Sequence, residues 1–148
     1  MMSENQYPEE RRLASVLFAD VQGFTQLAEK LDFETVSDLI KGIWKRLDKV
    51  IEAHGGYIDK HLGDGVMAVW GAPFASDNDA EQAIATGIEL VKALADFCQG
   101  SSIPGAEQLK LRVGINSGAV FAGYIGSRNE YTVLGDTVNV AARLEQIA

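Results

Sequence analysis

Cysteine is nearly absent from this chain. The single Cys98 in 148 residues excludes an internal disulfide and any metal cluster built with cysteine partners. Histidine is almost as scarce, and neither His54 nor His61 has a metal-ligand partner at useful spacing. Long hydrophobic runs are missing: none approaches a membrane span, and the opening MMSENQYPEERR lacks the apolar core of a secretion signal. A cytoplasmic protein without membrane insertion is the expectation. Positive charge is thin, with 13 Lys and Arg against 21 Asp and Glu and a net charge of −8. That argues against a nucleic-acid or anionic-membrane surface, which needs a basic patch. It leaves room for a small anionic ligand held by metal ions and a few local cations. The length is that of one domain and the apolar fraction, 47%, is ordinary for a globular core.

The most informative stretch is GYIDKHLGDGVMAVWG, Gly56 to Gly71. A half-polar run, Tyr57 to Leu62, meets a Gly63-Asp64-Gly65 turn and then the unbroken apolar run Val66 to Trp70, which reads as a hairpin. Without a polar interruption the second run reads as a central strand buried on both faces. Asp64 alone is compatible with a plain solvated turn. A second carboxylate, Asp20, is placed the same way, at the end of the apolar run Leu13 to Ala19.

Met1 to Arg12 reads as a polar tail or linker, and 13–148 as one domain. After Asp20, Gly23 breaks the strand and a short helical piece, Phe24 to Lys30, follows. Strand, glycine turn and helix start present free backbone N–H groups beside a carboxylate, which suits phosphate oxygens and a divalent metal. Gln22 stands where a covalent aspartyl-phosphate site carries its second aspartate, so that chemistry is disfavoured. Glu34 to Ala53 has the spacing of an amphipathic helix closed by Gly55-Gly56, and a second helix is capped at Asp77 or Asn78. In that helix Ala80, Ala83, Ile84, Ile88, Val91, Leu94, Ala95 and Cys98 are the expected buried stripe. Leu109 to Ile115 alternates as a half-buried strand, Ser117-Gly118 is expected to turn the chain, and Ala119 to Ile125 forms another strand. A last helix starts at Asp136 or Thr137 with the expected apolar stripe Val140, Leu144 and Ile147. Asn139 and Arg143 lie one turn apart beside that stripe. From spacing alone they are either a solvated flank or a phosphate- and sugar-binding pair.

In their order and spacing, FADVQGFT, KHLGDGVMAVWG, LRVGINSGAVFAG and YTVLGDTVNVAARLE resemble the class III adenylate/guanylate cyclase catalytic domain, from about Leu13 onward. The resemblance implies an α+β fold, a ferredoxin-like βαββαβ sandwich whose antiparallel-rich sheet has helices packed on one face. It implies conversion of a nucleoside triphosphate into the 3′,5′-cyclic monophosphate and pyrophosphate. Asp20 and Asp64 match the metal-binding aspartates, with the Val21 carbonyl a further ligand, for two Mg²⁺ or Mn²⁺ ions per site. Gln22, Gly23, Phe24 and Thr25 match the loop that holds the β- and γ-phosphates. Lys60 and Thr132, with Val133 beside it, match the base-binding positions, and Arg128 is a candidate phosphate ligand. Asn139 and Arg143 match the pair that orients the ribose and stabilises the transition state.

A Lys–Thr pair is similar to the subclass often called IIIb, mostly adenylate cyclases and often bicarbonate-responsive. Guanylate enzymes typically carry glutamate where Lys60 stands. The chemistry agrees: lysine donates to adenine N1, whereas guanine N1 is itself a donor. Threonine accepts from the adenine amino group but also donates, so it rejects guanine less firmly than aspartate. Lys60 sits roughly 13 Å along its strand from Asp64, too far to serve the same phosphates. The family solves this by pairing two domains, so a homodimer with shared sites is expected, binding ATP and attached to regulatory domains in the full-length protein. The resemblance also implies further strands and a phosphate-binding lysine past Ala148. The alternatives are a catalytically silent dimerisation or regulatory module, and a cyclase of guanylate or mixed specificity.

Overall fold

A computed structural model of the chain describes residues 9–126 and 129–148. Among these, five strands form one antiparallel sheet: β1 (Glu10–Gln22), β2 (Tyr57–Leu62), β3 (Gly65–Trp70), β4 (Lys110–Ile125) and β5 (Glu130–Leu134), in the order β2-β3-β1-β4-β5. The helices are α1 (Phe24–Ala28), α2 (Phe33–Ala53), α3 (Asp79–Gln99) and α4 (Asp136–Ile147). The first four strands and the helices α2 and α3 reproduce the ferredoxin-like βαββαβ order, with β5 added beyond β4.

The local chemistry follows the sequence. Asp32 caps α2 by accepting a hydrogen bond from the Thr35 N–H at 3.1 Å. Leu39, Ile43, Trp44, Leu47 and Ile51 on α2 pack with Leu90 and Leu94 of α3 against Leu17, Ala19 and Val21 of the sheet. Every residue of β3 is buried, as a central strand requires. Cys98 is buried in this helix layer and its thiol is pushed up by desolvation, which keeps it inert. His61 lies against Trp44 and bonds Asp48 at 3.0 Å, while His54 bonds Gln82 at 2.8 Å, so both histidines are structural.

Four expectations change. The hairpin turn is Gly63-Asp64, with the positive φ of 63° at Gly63, so Gly65 serves another purpose. The turn expected at Ser117-Gly118 is absent: β4 runs straight through it. β1 starts at Glu10 and pairs with β4 from Gln22↔Lys110 to Glu10↔Ala122, and Ser15 and Ser117 share a hydrogen bond of 2.6 Å. On α3, Ile84, Ile88 and Val91 are exposed, because Ala83, Gly87, Leu90 and Leu94 face the sheet instead. The fourth is α4. α2 and α3 form the expected layer on one face, but α4 lies across the other.

Small residues explain how α4 docks. A Cβ at Gly114 would stand 2.2 Å from the Glu145 nitrogen and 2.5 Å from the Ala141 carbonyl oxygen, so the helix backbone rests directly on β4. This rotates Ala141 and Glu145 inward and leaves the expected stripe outside, with Leu144 38% and Ile147 80% exposed. On this face the sheet is curled. Opposite edges of a flat five-stranded sheet would be about 19 Å apart at about 4.8 Å per strand. Yet the Tyr57 hydroxyl of β2 donates to the Tyr131 carbonyl of β5 at 3.0 Å, and the two rings meet edge to face.

Gly114→Ala is expected to cost about 1–3 kcal/mol, because α4 must lift from β4 to admit the methyl group. Urea unfolding measures it; a variant as stable as the parent would mean that α4 is not seated as described.

Candidate active site

Two clusters of functional side chains form within the chain. The first is the corner where β1 and the β2–β3 turn end. Asp20 sits opposite Gly65 on one side and Arg112 on the other. A Cβ at Gly65 would lie 2.7 Å from the Ala19 carbonyl oxygen and 3.0 Å from the Asp20 Cβ. Glycine there lets the turn close onto β1, and the Val21 N–H donates to the Asp64 carbonyl at 3.3 Å. The expected pair of carboxylates is therefore brought together. Asp64 has its pKa raised, first by burial and then by the negative charge of Asp20.

Two residues of this corner were not anticipated. Arg112 grips Asp20 through both guanidinium arms, Nε to Oδ1 at 3.2 Å and NH2 to Oδ2 at 3.1 Å. Glu145 comes in from α4, with Oε2 3.3 Å from the same Arg112 Nε but outside hydrogen-bond geometry, since that N–H points at Asp20. Burial, then the hydrogen bond with Asp20 and the charge of Asp20, raise Glu145 to about 7. Arg112 was legible only as the polar half of an alternating strand. Glu145 was hidden by the expectation that the helix buries Val140, Leu144 and Ile147.

The corner offers hard carboxylate oxygens, the donor type that suits a divalent cation, with three carboxylates facing one guanidinium. Among the described residues no group of three or more His, Cys, Asp or Glu side chains is spaced to hold a metal ion, so a cation here would rest on the two aspartates with backbone or water oxygens. Next to the corner, Val21, Gln22, Gly23, Phe24, Thr25, Gln26 and Arg112 line a cleft of about 340 Å³. Gly23 takes a left-handed φ of 89° at the entry to α1.

The second cluster joins the two sheet edges. Thr132 of β5 donates from Oγ1 to Asp59 Oδ2 of β2 at 2.6 Å, and the Lys60 ammonium lies 3.4 Å from Asp59 Oδ1. Lys60 and Thr132 are thus neighbours, with the Asp59 side chain only 2% exposed between them. Asp59 was also missed, as one charge in a half-polar strand. Val133 is buried beside Thr132. Asn139 and Arg143 are exposed on α4, and their side chains make no hydrogen bond or ion pair with any described residue. Arg128 lies outside the described residues. Among the described residues, no hydrogen bond or ion pair links the Asp59 cluster to the Asp20 corner.

The five-stranded sheet with its packed helices is that of a nucleotide cyclase catalytic domain. The family model for the adenylate and guanylate cyclase catalytic domain matches residues 6–148, and the chain belongs to that family. The receptor-type guanylate cyclase gcy-5 of Caenorhabditis elegans is 37% identical over 141 residues, covering 93% of this chain and 12% of that protein. Adenylate cyclase 1 of Rhizobium meliloti is 33% identical over 137 residues, covering 91% of this chain and 21% of that protein. The chain therefore spans a small part of these curated relatives. Among solved structures, the adenylyl cyclase CyaB from P. aeruginosa superposes with a TM-score of 0.84 at 34% identity, covering 94% of this chain and 74% of that one. The guanylyl cyclase Cya2 gives 0.86 at 36%, covering 93% and 71%. The family generally uses divalent metal ions, and its relatives divide between adenylate and guanylate enzymes.

Because Glu145 is raised from 4.5 in the unfolded chain to about 7 in the folded one, the folded chain binds more protons between these values. Its contribution to stability is complete below about 4.5 and is lost as pH rises through about 7. In metal-free buffer, Glu145→Gln is expected to show a smaller fall in Tm across that window than the parent. Parallel pH profiles for the two chains would contradict the assignment.

Proposed function

We propose that the chain is an adenylate cyclase catalytic domain of the Lys–Thr type, acting on ATP as a homodimer with two shared sites. The observation that carries this reading is the meeting of Lys60 and Thr132, from opposite sheet edges, apart from the Asp20–Asp64 corner of the same chain. One chain thus carries two half-sites, and a second copy would complete each.

On this reading the Asp20 and Asp64 carboxylates and the Val21 carbonyl hold the cations. Bound there, a pair of Mg²⁺ or Mn²⁺ ions would make the ribose 3′-hydroxyl more acidic and offset triphosphate charge. Gln22 to Thr25 offer backbone N–H groups to the β- and γ-phosphates, and Arg112 lines the same cleft. Arg128 is proposed as a further phosphate ligand. From the other chain, Lys60 donates to adenine N1 and Thr132, beside Val133, accepts from the 6-amino group. Asn139 orients the ribose, and Arg143 balances charge on the α-phosphate, where preorganised donors act most strongly. The 3′-hydroxyl gives its proton to water, its oxygen forms a bond to the α-phosphorus, the bond from that phosphorus to the oxygen bridging to the β-phosphate breaks, and pyrophosphate leaves with that oxygen. Arg112 must loosen its hold on Asp20 for a cation to bind there.

A second reading, guanylate or mixed specificity, is favoured by the guanylate cyclases among the relatives and by the capacity of threonine to donate as well as accept. Lys60 speaks against it. A silent regulatory module is disfavoured by the presence of Asp20, Asp64, Asn139 and Arg143 together.

Asp20→Ala and Asn139→Ala chains are each expected to be inactive. Mixed in equal amounts they should recover about a quarter of parental cyclic AMP synthesis, since about half the dimers are mixed and each has one whole site. Mixed dimers without recovery would rule out shared sites, and faster turnover of GTP than ATP by the parent would establish the second reading.

A further inference from the structure

Threonine leaves an ambiguity in base selection that the Asp59 cluster bears on. A hydroxyl has one proton and two lone pairs. If the proton is free, Thr132 can accept from a 6-amino purine or donate to a 6-oxo purine with equal ease. The proton is not free. Thr132 Oγ1 gives it to Asp59 Oδ2 at 2.6 Å, within the short range of a hydroxyl bonded to a carboxylate. A carboxylate only accepts, so the direction of this bond is fixed.

The backbone is arranged for the contact. The β2–β3 pairing shifts register between Ile58 and Lys60, so Asp59 falls at an irregularity in the ladder. Such a bulge re-aims side chains, and here Asp59 and Lys60 approach each other, 3.4 Å between Oδ1 and Nζ. The Asp59 side chain is 2% exposed and that of Lys60 is 48% exposed. A buried carboxylate is costly to desolvate, and an amide could also bridge the two edges. An amide, however, has an NH₂ group that can donate to Thr132 and release its proton.

We propose that Asp59 is a positioning residue for base selection: by holding the Thr132 proton it leaves only lone pairs toward the purine 6-position, favouring a 6-amino over a 6-oxo base. Its second oxygen steadies Lys60, which retains protons for N1. The inference rests on the reading above that Lys60 and Thr132 touch the base. It extends the discrimination from the N1 position to the 6-position, where threonine alone is indifferent.

The test uses 3′-deoxy-ATP and 3′-deoxy-GTP, which lack the attacking hydroxyl and so report binding without turnover, each measured with Mg²⁺ by calorimetry. The parent is measured first. Tighter binding of the guanine analogue by the parent would overturn the adenylate reading itself. Given a preference for the adenine analogue, Asp59→Asn should lower the ratio of affinities about tenfold, the scale of one hydrogen bond turned from favourable to unfavourable. Binding of 3′-deoxy purine riboside triphosphate, which has no 6-substituent, should stay within about twofold of the parent, since N1 recognition through Lys60 is kept. An unchanged ratio, or an equal loss for all three ligands, would show that Asp59 serves only the fold and would overturn the proposal. Should Asp59→Asn fail to fold, Thr132→Ser and Thr132→Val decide: the serine chain should keep the parental ratio and the valine chain should lose it. A valine chain with the parental ratio would equally overturn the proposal.

Discussion

Two like charges held side by side are the constraint on which this domain turns. Asp20 and Asp64 end adjacent antiparallel strands, and Gly65 removes the Cβ that would hold the turn away from β1. Burial first, and then the charge of Asp20, raises the pKa of Asp64, and Arg112 relieves part of the repulsion by gripping Asp20. Folding alone gives no reason to gather acids at a half-buried corner, because each loses hydration there. The proposed cation would. Glu145 and Arg112 make the metal-free corner tolerable, one by taking up a proton near pH 7 and the other by pairing with Asp20.

The curl of the sheet governs the second cluster. A flat sheet would leave β2 and β5 on opposite rims, with Lys60 and Thr132 too far apart to share Asp59. The aromatic contacts of Tyr57, Tyr131 and Tyr124 draw the rims together, and Asp59 bridges them. Curvature thus does for Lys60, Asp59 and Thr132 what the hairpin turn does for the carboxylates. Residues remote in sequence are set within hydrogen-bond reach.

Much of this was legible in the sequence because it is local. Periodicity marked α2, the apolar run marked β3, and Asp20 and Asp64 stood out as charges at the ends of strands. What was not legible depends on contacts between elements. Ser117-Gly118 looked like a turn, but the long β1 lends it a partner and keeps β4 straight. Leu144 and Ile147 looked like a buried stripe, but Gly114 of β4 admits the α4 backbone so closely that alanine and glutamate face inward. Arg112, Glu145 and Asp59 each act through a partner tens of residues away, and no short-range pattern reveals such a partner.

The orientation of α4 connects these misreadings to the proposed mechanism. With Ala141 and Glu145 against the sheet, Leu144 and Ile147 are left facing solvent, and the Asn139 and Arg143 side chains project from the same helix without a partner among the described residues. A helix that turns its leucine and isoleucine outward, with its arginine unpaired among the described residues, is poorly explained by the stability of one chain. It is well explained if, as proposed, a second chain covers the leucine and isoleucine while its Asp20–Asp64 corner receives the arginine. The same docking that defeats the amphipathic pattern would then create the half-site. Glu145, buried beneath α4, would link the seating of that helix to the charge at the metal corner.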